Sequence, residues 1–249
     1  MKISVITAVF NSHGTIASAI ESILSQTGVN TDLVVIDGGS DDGTLDVLRG
    51  YTGRIGTLVS EPDHGIYDAL NKGIRSASGD VVGFLHSDDV FADNSVLSRV
   101  AAAFADPGVE AVYGDLVYVD RNDPDQVIRY WRAGEFSRER LGWGWMPPHP
   151  TFYVRRSVYE RLGGFDTSYR IAADYDCMLR FLGPGGLRVA YIPEVLVKMR
   201  VGGASNRSLR SIVRKSTEDL RALRSNRVGG IGTLIWKNVS KLPQFLRRR

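Results

Sequence analysis

Acids gather in this chain where apolar segments stop, and acids in such places can hold a cation or take a proton. The clearest case follows Val81–Leu85, a wholly apolar run that ends in His86-Ser87-Asp88-Asp89. In an open α/β sheet, ligands bind beyond the carboxyl ends of the strands. Asp88 and Asp89 are therefore candidate ligands for a divalent cation, Mg²⁺ or Mn²⁺ suiting an oxygen-only site, and such a cation would hold a diphosphate. Asp37 closes a second apolar run, Leu33–Asp37, just before Gly38-Gly39-Ser40-Asp41-Asp42-Gly43. It either accepts a hydrogen bond from a base N–H or forms the turn with its own side chain. Asp63 precedes a helix start, and Lys72, farther along that helix, either reaches a phosphate or lies on a solvated face. Asp174, in Ala172-Ala173-Asp174-Tyr175-Asp176, is either a general base for an attacking hydroxyl or a helix-capping acid.

Other chemistries lack their residues. There is no GxxxxGK[ST] phosphate loop, no strand-linked GxGxxG and no GxSxG elbow. His13, His64, His86 and His149 do not have zinc-site spacing, and Cys177, the single cysteine, has no activating partner nearby in sequence and reads as a core residue. The loop Gly142–Pro150 (GWGWMPPHP) offers Trp143, Trp145 and His149 as candidate acceptor contacts, with a plain loop histidine as the other reading of His149.

The elements that position these groups alternate. Lys2–Phe10, Leu33–Asp37, Thr57–Ser60 and Val81–Leu85 read as strands. Asn11 and Ser12 offer an N-cap to a helix carrying Ile16, Ile20 and Ile23, and further helical spacing follows each later strand. Right-handed βαβ crossovers and a mainly parallel central sheet follow, in a three-layer α/β/α fold. Beyond Gly108 the rhythm changes: Ala111–Val119, Gln126–Arg132, Thr151–Val154 and Leu187–Ile192 are expected strands, and Ser157–Leu162 and Asp174–Leu182 expected helices.

Charge divides the 249 residues unequally. Residues 205–249 hold 12 Lys/Arg against 2 Asp/Glu, leaving 19 against 26 in residues 1–204, so a net charge of +3 joins an acidic body to a basic extension. Val228, Ile231, Leu234, Ile235, Val239, Leu242 and Leu246 recur there at roughly helical spacing among Lys237, Lys241 and Arg247–Arg249. Such a segment either lies on an anionic membrane surface or docks on the body. An acidic body without a matching module argues against nucleic acid as a partner. No apolar run approaches the ~20 residues of a membrane span, and no leader precedes the first strand, so a cytoplasmic location is expected, peripheral on the inner membrane face if the tail binds lipid.

Together these blocks resemble family 2 glycosyltransferases of the GT-A fold. The likeness is carried by Ser4-Val5-Ile6-Thr7-Ala8-Val9-Phe10-Asn11, Val35-Ile36-Asp37-Gly38-Gly39-Ser40-Asp41-Asp42-Gly43-Thr44, Ser87-Asp88-Asp89, and Gly163-Gly164-Phe165-Asp166 followed by Ala173-Asp174-Tyr175-Asp176. EPDHGIYDALNKGI and PHPTFY…FDTSYRIAADYDCMLRF resemble the bacterial branch of colanic acid and mycobacterial phenolic-glycolipid glycosyltransferases, some of which use GDP-fucose. The resemblance implies residues 1–204 as the catalytic domain, with a nucleotide-sugar half near 1–110 and an acceptor half near 111–204, and residues 205–249 as a helical extension. It implies that Thr7, Ala8 and Phe10 line the nucleotide pocket, that Asp37 meets the base, and that Asp63 and Lys72 lie by the ribose or diphosphate. Asp88 and Asp89 would serve the nucleotide and metal, and Asp174 would be the base of an inverting transfer from a GDP- or UDP-sugar to a glycan or lipid-linked acceptor. His86 stands where many members carry the first Asp of D-x-D, and Ala173 where many carry Glu. The absence of Q-x-x-R-W favours single addition over processive synthesis. An inactive nucleotide-sugar-binding scaffold is the alternative outside enzymes, and a sugar-nucleotide pyrophosphorylase the alternative within them.

Overall fold

The computed structural model describes residues 1–202 and 209–239. The runs rich in β-branched residues form the parallel part of the sheet, β1 (Lys2–Val9), β2 (Asn30–Asp37), β3 (Thr57–Ser60) and β4 (Val81–Phe84), in the order β3-β2-β1-β4. Val9 lies opposite Asp37, Asp37 opposite Ser60 and Ile6 opposite Phe84, so all four strands deliver their last residues to one rim. Helices α1 (Ile16–Leu24), α2 (Thr44–Arg49) and α3 (Ile66–Ser76) make the crossovers. Ile16, Ile20 and Leu48 pack with Val5, Val9 and Val35 on one face, while Ala69 and Leu70 pack with Ile6, Ala8 and Ile36 on the other. At Gly73 a Cβ would come within 2.3 Å of Ile6, so only glycine lets α3 settle this close to β1.

The expectation of a mainly parallel sheet holds for this half. β5 (Val90–Phe91), α4 (Val96–Ala103), β6 (Ala111–Val119), β7 (Val127–Trp131) and α5 (Arg138–Gly142) follow. After them come β8 (Tyr153–Arg155), α6 (Arg156–Leu162), α7 (Ala173–Leu182) and β9 (Val189–Arg200). The sheet continues as β8-β6-β9-β5, with β7 on β6, and here only the β6–β9 pair is parallel.

Three local expectations are corrected. The Asn11/Ser12 cap is displaced: α1 starts behind Thr15, and the Ser12 carbonyl instead accepts the N–H groups of Thr15 and Ile16. The strand expected from Thr151 begins at Tyr153, after a 3₁₀ turn over His149–Thr151. The strand expected to end at Ile192 runs to Arg200, because Pro193 and Glu194 are looped out between the pairs Gly114–Ile192 and Asp115–Val195.

In the extension, α8 (Leu209–Ser225) buries Ala222 and Leu223 in the core beside α7, and α9 (Ile231–Val239) is tied to α8 by a buried Lys237–Asp219 ion pair of 2.8 Å. Helix α9 is therefore docked on the body, while Ile231, Ile235, Trp236 and Val239 remain exposed. The expected boundary at 204/205 and residues Lys241, Leu242, Leu246 and Arg247–Arg249 lie outside the described residues. Among the described residues no helix is long and apolar enough to cross a membrane.

Candidate functional site

The rim where β1–β4 end carries the candidate residues, and their side chains are held in different ways. Alternation along β1 sends adjacent side chains to opposite layers. Ala8 faces the α3 layer, and Phe10, just past the strand, stands 62% exposed. Thr7 turns the other way, fully buried, its hydroxyl without a partner among the described residues. The Thr7 side chain is therefore directed away from the layer that Ala8 faces.

Asp37 is fully buried, and its carboxylate is already occupied. It accepts the N–H groups of Gly39 (3.2 Å) and Ser40 (3.2 Å) and the hydroxyls of Ser40 (2.5 Å) and Ser60 (2.6 Å). The turn-forming reading is thus realised here. Gly38 brings Asp63 against this turn: a Cβ at Gly38 would lie 2.5 Å from the Asp63 carboxylate and 3.4 Å from the Phe10 ring. Phe10, the Asp37 turn and Asp63 therefore form one surface. Lys72 folds back beside it, 2.8 Å from Glu61 and 3.7 Å from Asp68. Its hydrogen bond to Glu61 holds the ammonium above its ordinary pKa. Reaching a phosphate would require Lys72 to exchange Glu61 for the new anion.

The turn after β4 is built differently. The Asp88 carboxylate makes no hydrogen bond or ion pair among the described residues, although the Asp88 carbonyl accepts from the Arg200 guanidinium at 2.5 Å. Asp89 is buried; its Oδ1 accepts the Arg200 N–H at 3.0 Å, and its Oδ2 has no partner. Burial first, and the neighbouring Asp88 second, push the Asp89 carboxyl well above the usual carboxylate range. Ser87 is pinned from the other side by Ser12, Oγ to Oγ 2.9 Å. An open carboxylate beside one with an orphaned oxygen fits a hard divalent cation. Among the described residues no group of three His, Cys, Asp or Glu gathers as a metal cluster, so phosphate and water oxygens would have to complete the shell.

Asp174 stands in the first turn of α7. Its Oδ1 accepts the Tyr175 N–H (2.8 Å) and the Tyr67 hydroxyl (3.2 Å), which also donates to the Ile171 carbonyl (2.6 Å). Oδ2 has no hydrogen bond among the described residues, so one oxygen is fixed and the other can receive a proton. His86 and His149 connect Asp174 with the β4 turn: both rings feel the charge of Asp174, and they stand 6.2 Å apart. Burial lowers both imidazole pKa values, His149 to about 4, so both rings are neutral near pH 7. His149 stacks on Phe84 at 5.3 Å and meets Phe165 at 5.7 Å, and Tyr67 packs on the same Phe165.

The Trp-rich loop divides its residues. Trp145 donates its indole N–H to the Ala133 carbonyl (2.8 Å) and packs on Tyr113 and Phe136, so it supports the core. Trp143 is 62% exposed and meets Trp236 of α9 edge to face at 5.9 Å. Two surface depressions, one beside Arg75 and Arg156 and one beside Arg138 and Arg227, contain none of the candidate residues. The candidate residues instead line the open rim between the β1–β4 ends and α7. Sequence reading missed Tyr67, Arg200 and Glu218; each acts on residues 46 to 112 positions away, which no local pattern announces.

Residues 4–168 match the model of glycosyl transferase family 2. A "PGL/p-HBAD biosynthesis glycosyltransferase" of Mycobacterium bovis is 30% identical over 208 residues, covering 82% of this chain and 78% of the relative. Among solved structures, the mannosyltransferase PcManGT of Pyrobaculum calidifontis, in complex with GDP-Man and Mn²⁺, superposes with a TM-score of 0.67 at 21% identity, over 97% of this chain and 70% of that one. S. aureus TarS gives 0.66 at 20% identity over 90% of this chain, which spans only 44% of TarS. These similarities establish the GT-A architecture expected from the sequence.

Proposed function

The chain belongs to glycosyl transferase family 2, and on that premise we propose that it transfers one sugar from a nucleoside-diphosphate donor to a hydroxyl of a glycan or lipid-linked acceptor, with inversion. One observation carries this reading: Asp174 keeps Oδ1 anchored by Tyr67 and Tyr175 while Oδ2 makes no hydrogen bond among the described residues, near the neutral rings that lead to the open Asp88 carboxylate. Asp174 takes the acceptor proton as the hydroxyl attacks, and the nucleoside diphosphate leaves on the opposite side, which inverts the anomeric centre.

Asp88 and Asp89 are the residues that would hold a divalent cation. When bound, that cation supplies charge neutralisation to the departing diphosphate. Phe10, Gly38 and Asp63 receive the nucleoside, with Asp37 shaping the turn and reaching a base only if Ser40 or Ser60 gives way. Lys72 exchanges Glu61 for phosphate. The cation and donor class are supported by the GDP-Man and Mn²⁺ complex of the structural neighbour from Pyrobaculum calidifontis. The mycobacterial relative's role in PGL/p-HBAD biosynthesis supports a cell-envelope glycolipid acceptor. Contact with an anionic membrane through the exposed face of α9 fits such an acceptor and the excess of basic residues in 205–249.

Thermal shift with GDP, UDP and dTDP, each with and without Mn²⁺, tests the donor assignment, since ligand that binds only the folded state raises Tm by mass action. The reading expects one nucleotide to raise Tm markedly and only with the cation. No shift with any nucleotide would overturn it.

A further inference from the structure

Helix α7 brings Asp174 to the site without a cap of its own: the residue before it is Ala172, and no side chain of the preceding segment bonds its first turn. A helix start leaves N–H groups that need acceptors. Here a remote carboxylate serves the approach to the helix. Glu218, in the middle of α8, accepts the N–H groups of Arg170 (3.1 Å), Ile171 (2.8 Å) and Ala172 (3.0 Å) on a single oxygen, Oε2, and Oε1 also accepts from Arg170 (3.2 Å).

The same tripeptide is held on its other side. The Ile171 carbonyl accepts the Tyr67 hydroxyl that also reaches Asp174 Oδ1. Backbone 170–172 is therefore clamped between α3 and α8, two residues before the proposed base. Further contacts fix α8 itself. The Asn226 amide donates to Asp176 of α7 (2.9 Å). The buried Lys237–Asp219 pair locks α9 to the residue next to Glu218, and the Lys237 ammonium lies 3.3 Å from the centre of the Tyr175 ring, next to Asp174. All of α8 and α9 lies beyond the stretch matched to the family, which ends at residue 168.

We propose that Glu218 is a positioning residue for Asp174, so that helices α8 and α9 are a working part of the catalytic apparatus and not an appendage. This rests on the reading of Asp174 as the base. Without Glu218, three N–H groups lose their acceptor, the 170–172 backbone drifts, and Tyr67 no longer meets the Ile171 carbonyl and Asp174 together. A shift of about 1 Å in a reacting group can cost on the order of a hundredfold in rate.

The test compares Glu218→Ala, Glu218→Gln and Glu218→Asp with the parent enzyme, using the nucleotide-sugar whose nucleotide gives the largest thermal shift. Turnover is read as transfer or donor hydrolysis, alongside nucleotide Kd and Tm. We expect Ala to lower kcat at least about tenfold, with donor KM and nucleotide Kd changed less than about twofold. Gln, which keeps an acceptor oxygen at the same reach, should recover most of the rate. Asp, one methylene short of the three N–H groups, should fall between, and it carries the comparison with Gln if Ala does not fold. Val100→Ala, a cavity in the opposite layer, provides the structural reference: it should lower Tm while kcat per folded molecule stays unchanged. An unchanged kcat across the folded Glu218 variants, or losses that only follow Tm as in Val100→Ala, would overturn the proposal. Normal turnover by Asp174→Asn would instead remove the base assignment beneath it, so the two failures are distinguishable.

Discussion

The turns after β2 and β4 leave the sheet on either side of β1, on the same rim, and both carry aspartates. At the first, Asp37 gives both oxygens to Gly39, Ser40 and Ser60. At the second, among the described residues, the Asp88 carboxylate has no partner and Asp89 keeps one oxygen without one. Position beyond a parallel strand therefore does not decide an acid's role; the number of donors already spent on it does. The saturated acid builds the rim, and the unsaturated pair is available to a ligand.

Substitutions can break this contrast or sharpen it. Between the two turns, the larger effect on rate is expected at the open one. Asp88→Asn should reduce kcat by about 10²–10³-fold, the scale of losing one electrostatic contact to a developing charge, with little change in Tm. Steady-state rates across a Mn²⁺ titration check this; undiminished turnover would make the two turns alike. At the saturated turn the damage should appear as lost stability. Asp37→Ala takes the acceptor from two N–H groups and two hydroxyls of a part-buried turn, and should cost about 3 kcal/mol, roughly 9 °C in Tm for a domain of this size. If the variant melts like the parent but loses nucleotide affinity, Asp37 is a base contact and the contrast fails.

A third test uses the pH sensitivity of the β4 side. The fold holds His149 down to about 4. Between that value and the unfolded value near 6.5 the unfolded chain binds the extra proton, so stability rises with pH through this window. It should fall by up to about 3 kcal/mol as pH drops from 6.5 to 4. His149→Phe keeps the stack on Phe84 and should reduce that slope in urea melts; His86, shifted the same way, keeps part of it. The smallest effect is expected at Thr7. Thr7→Val removes a buried hydroxyl without a partner, so stability should hold or rise by about 1 kcal/mol with nucleotide Kd unchanged. Weaker nucleotide binding would return the Thr7 side chain to the pocket.

What could be read from the sequence follows the range of the forces involved. Strands β1, β2 and β4 were legible because doubly buried strands are continuous apolar runs, while β3, half-buried at the sheet edge, was legible from its β-branched residues. β9 was legible only in part, since Pro193 and Glu194 look like a terminus and only pairing with β6 shows them looped out of a longer strand. Ser12 has the chemistry of a cap, but its hydroxyl is used on Ser87, 75 residues away. Asp37 and Asp88 look alike in sequence; what distinguishes them is the set of donors on Asp37, Gly39 and Ser40 nearby and Ser60 23 residues on, with no comparable donor to Asp88 among the described residues. Asp174 could be singled out as a candidate, but not its supports: Tyr67 and Glu218 come from helices on either side of it in the chain.

The most direct test of the central claim is the single-turnover rate of Asp174→Asn at saturating donor and cation, measured beside its nucleotide Kd. Asn keeps an oxygen for the Tyr67 hydroxyl and the Tyr175 N–H but cannot take a proton. The account predicts transfer slowed by about 10²–10⁴-fold with Kd within about twofold of the parent. A rate equal to the parent's, with the nucleotide bound as tightly, would contradict it.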